Sequence, residues 1–137
     1  MKTIKIVTFL IALITVFALA LVGFGESDTV SKYIISDHKY TEKADLENAA
    51  QPEQLTAGKD AYASVYFVES PKGMEYTAIW FIDGNEVKTD TQKMPTDKRG
   101  VIIFSLEGDK VSAGTLKFQV SYEGDIMVSK ELTVVQE

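Results

Sequence analysis

The chain contains no cysteine. That removes disulfides, thiolate metal sites, a cysteine nucleophile and attachment through a lipidated cysteine. It has a single histidine, His38, so no His/Cys set exists for a zinc or copper site. Nucleophilic catalysis needs a base beside the nucleophile, and one isolated imidazole is poor material for it. Glycine-rich phosphate loops are missing too: Gly58-Lys59 follows Leu55-Thr56-Ala57 without the other glycine. Basic residues are scarce, 14 against 20 acidic ones. Setting Lys2 and Lys5 aside leaves 12 against 20, a formal charge of −8. Such a field repels nucleic acid and anionic surfaces and favours solubility. No cofactor is expected.

One long hydrophobic run is present. Ile6 to Phe24 is broken only by Thr8, Thr15 and Gly23, close to the length of a bilayer-spanning helix. Lys2 and Lys5 precede it, and Glu26 and Asp28 follow, which orients the later residues to the outside. Two readings remain open for residues 1–25. One is a signal peptide cleaved near Ala18-Leu19-Ala20 or Gly23-Phe24-Gly25; the other is an uncleaved anchor through residues 6–24. Both place Ser27 to Glu137 in an extracytoplasmic setting, membrane-anchored or secreted.

Residues 26–58 read as a polar spacer. Tyr33-Ile34-Ile35 suggests a short first strand, and Thr41 to Ala50 a short surface helix ended by Pro52. Strand character is clear in 59–137. Ala61, Ala63, Val65 and Phe67 alternate with Tyr62, Ser64 and Tyr66. Ile79-Trp80-Phe81-Ile82 is a continuous apolar run holding the only tryptophan, which predicts a strand covered on both faces or nearly so. Asp83-Gly84-Asn85 and Glu123-Gly124-Asp125 supply hairpin turns. Glu86 to Thr89 returns from the first turn, and Asp90 to Gly100 reads as an exposed connection. Val101 to Leu106 is a further strand. Leu116, Phe118, Val120 and Tyr122 alternate with polar residues, and Ile126, Val128, Leu132 and Val134 keep register in the last strand. About seven short strands at regular spacing predict an all-β fold, an antiparallel sandwich.

Trp80-Phe81-Ile82-Asp83-Gly84-Asn85-Glu86-Val87, Phe104-Ser105-Leu106, Ala113-Gly114-Thr115-Leu116-Lys117-Phe118-Gln119-Val120 and Leu132-Thr133-Val134 together resemble a bacterial extracytoplasmic immunoglobulin-like domain. The resemblance covers about residues 60–135. It implies an immunoglobulin-like β-sandwich with a buried Trp80. Leu116 stands where many such domains carry a loop-tying tyrosine. Phe118 stands near the second cysteine of antibody-type domains, where it can fill the core beside Trp80. The resemblance implies a binding or spacing module and carries no catalytic residue with it.

The expected function is therefore a non-catalytic adaptor that contacts a protein or envelope partner through a sheet face or edge. The alternatives are a passive spacer and a carboxylate- or calcium-dependent hydrolase. Candidate contact residues are the aromatics Tyr62, Tyr66 and Tyr76, and the basic residues Lys93, Lys98 and Arg99. Lys88 adds a fourth basic residue to that connection, which can equally be a solvated loop. Asp83-Gly84-Asn85-Glu86 offers oxygen ligands at short spacing but lacks the rest of a calcium loop, and a turn needs the same residues.

Overall fold

The computed structural model describes residues 29–137. The expected N-terminal hydrophobic helix lies outside them. Among the described residues, no helix is long and apolar enough to cross a membrane.

Among the described residues, eight strands form two sheets. They are β1 (Val30–Ser36), β2 (Gln54–Thr56), β3 (Ala61–Ser70), β4 (Glu75–Ile82), β5 (Asn85–Lys93), β6 (Lys98–Leu106), β7 (Gly114–Tyr122) and β8 (Asp125–Val135). One sheet has the order β1-β3-β6 and the other β2-β8-β7-β4-β5. All pairings are antiparallel except β2 with β8. One helix, α1 (Lys43–Asn48), sits between β1 and β2.

Alternation decides which side chains face inward. On β4 the buried set is Tyr76, Ala78, Trp80 and Ile82, while Ile79 and Phe81 stay half-buried on the other face. The expectation of a strand covered on both faces is therefore met only on the inner one. β3 contributes Ala61, Ala63, Val65 and Phe67, β6 Ile102, Phe104 and Leu106, and β7 Leu116, Phe118 and Val120. Trp80 lies directly across from Phe118, with ring centres 4.6 Å apart. Phe104 packs 5.8 Å from the same Phe118 ring, joining the two sheets through aromatic contacts. Phe118 thus fills the core between Trp80 and Phe104.

The hairpin turns follow the residues that permit them. Asp83 and Gly84 have φ of 49° and 84°, and Glu123 and Gly124 have 49° and 89°. Two consecutive positive φ values make the tight turn whose twist matches its strands. Asp83 also ties down the next strand, accepting at Oδ1 from the Thr115 N–H at 2.9 Å and donating its own N–H to Thr115 O at 2.8 Å.

The described part of the expected spacer, residues 29–58, contributes strands to the sandwich. β1 pairs along most of β3, and β2 pairs with the end of β8. Ile35 and Leu55 belong to the main core. The sandwich therefore already includes β1 and does not begin near residue 59. The eighth strand, β2, is three residues long and has no alternation to reveal it. The connection expected at Asp90 to Gly100 also shrinks. β5 runs to Lys93 and β6 starts at Lys98, and the link between them buries Met94.

α1 has Glu42 at its N-cap and no side-chain cap bond there. Tertiary contacts hold it. Leu46 is fully buried against Ile34 and Tyr66, with Tyr40, Ala49, Val68 and Val101 packed around them. The Lys32 ammonium donates to Glu47 O at 2.7 Å and Ala49 O at 3.0 Å, satisfying carbonyls at the helix end. The segment from His38 to Gln51 thus roofs the outer face of the three-stranded sheet.

Both edges of the three-stranded sheet are met by side chains. Gln51 takes the place of a neighbouring strand at β1: its Oε1 accepts from Ile35 N at 2.9 Å and its Nε2 donates to Ile35 O at 2.6 Å. On the opposite edge, Lys88 Nζ donates to Ser105 O and Gln92 Nε2 to Ile103 O, both at 2.8 Å. These two β5 side chains therefore bond carbonyls of β6. The three buried serines are also bonded. Ser36 Oγ accepts from His38 N, Ser64 Oγ accepts from Tyr40 N, and Ser70 Oγ pairs with Tyr76.

Candidate functional site

Tyr76 is not a contact residue. It has the same parity as Trp80 on β4, so it points into the core and is fully buried. Its ring stacks on Phe67 at 4.2 Å, and its hydroxyl meets Ser70 Oγ at 2.5 Å. Tyr66 does face outward from β3, but α1 covers it and leaves it 5% exposed. Tyr62 alone of the three is half-buried and accessible. Its hydroxyl donates to Asp60 Oδ2 at 3.2 Å, and Lys39 Nζ lies 5.0 Å from the ring centre. Desolvation, then the Asp60 charge and hydrogen bond, raise the Tyr62 phenol above its ordinary range.

The basic candidates gather at one end of the sandwich. Lys93 closes β5, 3.8 Å from Glu75. Lys98 opens β6 across from Ser70 with φ of 72°, and Arg99 follows it, exposed. The link between β5 and β6 is pinned to the β3–β4 turn, with Lys72 N donating to Asp97 Oδ1 and Gly73 N to Met94 O. Lys88 behaves differently. It is half-buried and bridges Ser105 O and Glu107, holding the Glu107 carboxyl below its ordinary range. His38 packs edge-on to Tyr40 at 4.8 Å.

The same end carries a shallow groove of about 600 Å³, lined by residues 71–75 together with Thr77, Lys93, Tyr122 and Glu123. It contains two carboxylates, Glu75 and Glu123, open to solvent. Among the described residues, no three acidic or histidine side chains converge as metal ligands. Asp83 and Glu86, the acids weighed as calcium ligands, serve the turn: Asp83 holds Thr115, and Glu86 accepts from the Thr89 hydroxyl at 2.7 Å.

A surface outside the expected set emerges on the five-stranded sheet. Among the described residues, α1 and its flanking segment pack on the three-stranded sheet and not on the outer face of this one. Ile79 and Phe81 lie half-buried on it, between Thr89 and Gln119 and between Glu86 and Lys117. Lys117 Nζ sits 4.6 Å from the Phe81 ring centre. The signal was available in the sequence, since both alternate with the inward Trp80.

No protein-family model matches the chain, and no curated protein matches its sequence. Solved structures do match in fold. An immunoglobulin-like protein from Pseudomonas aeruginosa superimposes with a TM-score of 0.52 at 12% identity, covering 82% of this chain and 98% of that one. A β-glucosidase from Listeria innocua gives 0.47 at 11% identity, over 82% of this chain and 17% of its own. A CARDB domain from Pyrococcus furiosus, solved with two metal ions, gives 0.43 at 13% identity, over 82% and 100%. The latter two scores are too low to argue from. The first, with the eight strands in two sheets, shows this chain to be similar in fold to immunoglobulin-like β-sandwiches.

Proposed function

We propose that this chain is a non-catalytic, extracytoplasmic adaptor, anchored through residues 6–24 or secreted, that grips a protein partner with the outer face of its five-stranded sheet. One observation carries the reading: the two outer faces are treated unequally. The three-stranded sheet has its own roof, with Leu46 buried on Ile34 and Tyr66. The five-stranded sheet leaves Ile79 and Phe81 at the surface beside Lys117 and Gln119. An aromatic and an aliphatic side chain amid polar neighbours resemble the centre of a protein interface more than its rim. Edge pairing on the three-stranded sheet is the weaker mode, because side chains already occupy the β1 and β6 edges.

The test is photo-crosslinking from Gln119 of the full chain in its own envelope. The expected result is one discrete adduct, lost in Phe81→Glu and Ile79→Lys variants whose melting temperatures are unchanged. A passive spacer gives no adduct. A hydrolase acting through Glu75 and Glu123 would instead lose turnover in the Glu75→Gln and Glu123→Gln variants.

A further inference from the structure

We infer that the partner of the five-stranded sheet is a second copy of this chain, the two outer faces packing about a twofold axis that runs close to β4. This rests on the reading above, that the face is a protein interface, and names what covers it. The charges flanking β4 point to a second copy. Cross-strand partners share a face, so each outward residue of β4 has a β5 and a β7 neighbour at its own level. Phe81 lies between Glu86 on β5 and Lys117 on β7. Ile79 lies between Thr89 and Gln119, and Thr77 between Thr91 and Ser121. At the level of Glu75, β5 presents Lys93, while Glu123 follows the end of β7 and lines the groove beside it. The β5 side thus runs acid, neutral, neutral, base, and the β7 side base, neutral, neutral, acid.

A half-turn about β4 exchanges these two sides. In a face-to-face pair built that way, Glu86 of one copy meets Lys117 of the other and Lys93 meets Glu123, each contact formed twice. Phe81 and Ile79 meet their own counterparts on the axis, which puts the half-buried apolar pair at the centre of the interface. Glu75 also lies on the axis, and Lys93 at 3.8 Å offsets its meeting with its counterpart. The overall charge gives the pattern its weight. With 20 acidic against 14 basic residues, two copies repel at long range. A surface where they can meet has to be locally balanced, with each sign opposite the other under the symmetry. A partner of one dominant charge would match only half of this face. Stacked sheets cross at about 30°, which keeps contacts near β4 in place and loosens those further out. The matched strip is three strands wide, so the pairing is reversible and concentration-dependent.

The chain has no cysteine, so one introduced thiol can bond only to its own counterpart. Thr77 lies on the axis, whereas Thr133 sits on β8, two strands from β4. The full chain, purified in mild detergent, is oxidised with copper phenanthroline. Thr77→Cys should give a disulfide-linked species of twice the mass, and Thr133→Cys should not. Followed by sedimentation equilibrium, pairing should weaken at least about tenfold in Lys117→Glu and in Glu86→Lys. It should recover in the double variant, which restores opposite signs across the axis. A chain monomeric at every concentration, a dimer indifferent to both reversals, or equal crosslinking at the two positions overturns self-pairing. If Gln119 crosslinks in the envelope to a protein of another mass, self-pairing falls and the reading of the face stands. If Gln119 yields no adduct, both fall.

Discussion

At the scale of single residues, Trp80 couples sequence to stability most directly. It is fully buried, yet its Nε1–H has no hydrogen-bond acceptor among the described residues. An orphaned buried donor costs about 1–3 kcal/mol. Trp80→Phe removes that donor while keeping a ring against Phe118. Trp80→Ala instead leaves a large cavity, at about 3–5 kcal/mol. Denaturant unfolding followed by circular dichroism should therefore show the phenylalanine variant losing less than half of what the alanine variant loses. Equal losses would mean that ring volume alone matters. Gly114 is constrained differently. Its φ is 141°, and a Cβ there would meet the Asp83 carboxylate at 2.6 Å. Gly114→Ala should cost at least about 1–3 kcal/mol through backbone strain and disturb the Asp83–Thr115 bonds, visible as faster amide exchange at Thr115. Glu107 gives a pH dependence. The hydrogen bond from Lys88, then its own backbone N–H, lower its folded-state pKa. As pH falls, the unfolded chain takes up this proton first. The stabilisation is present above the ordinary glutamate range near 4.5 and is lost as pH drops through the lowered folded value. Glu107→Gln should flatten the acid limb of a stability–pH curve, and an unchanged limb would deny the linkage.

At the scale of elements, the strands with strict alternation were legible. β3 and β7 show their faces directly in Ala61–Phe67 and Leu116–Val120, and both hairpin turns were written in Asp83-Gly84 and Glu123-Gly124. Elements that owe their form to a distant partner were not. β2 exists because β8 offers an edge, and α1 because Leu46 finds Ile34 and Tyr66. Tyr66 departs from expectation for the same reason: its outward direction is readable, but its cover, Leu46, lies some twenty residues earlier in the chain. Tyr76 was readable and misread, since its parity with Trp80 assigns it to the core. Edge protection is equally a matter of distant partners. Gln51→Ala removes both bonds to Ile35 and should cost about 1–3 kcal/mol, with the Ile35 amide losing exchange protection first. Retained protection would show that Gln51 is not what closes the edge. On β8 the pairing with β2 covers only Thr133–Val135. The stretch before it carries Lys130 on the same parity as the buried Val128 and Leu132, an inward charge of the kind that discourages strand addition.

At the scale of the whole molecule, the question is whether residues 30–56 decorate a sandwich or complete it. The fold argues for completion. Without them β3 becomes a bare sheet edge along the length that β1 now covers, and Tyr66 and Val68 lose Leu46. The main core also loses Ile35 and Leu55. A domain of this size has little stability to spare, roughly 5–15 kcal/mol in all, and losing two buried aliphatic side chains alone costs about 4–10 kcal/mol. Residues 29–137 should therefore unfold in one cooperative transition, followed through the single tryptophan. Residues 59–137 should show no such transition and should self-associate through the uncovered β3 edge. If the shorter fragment unfolds cooperatively at the same midpoint, the segment from 30 to 56 is an appendage, and the roof over the three-stranded sheet cannot explain why only the other face is left to a partner.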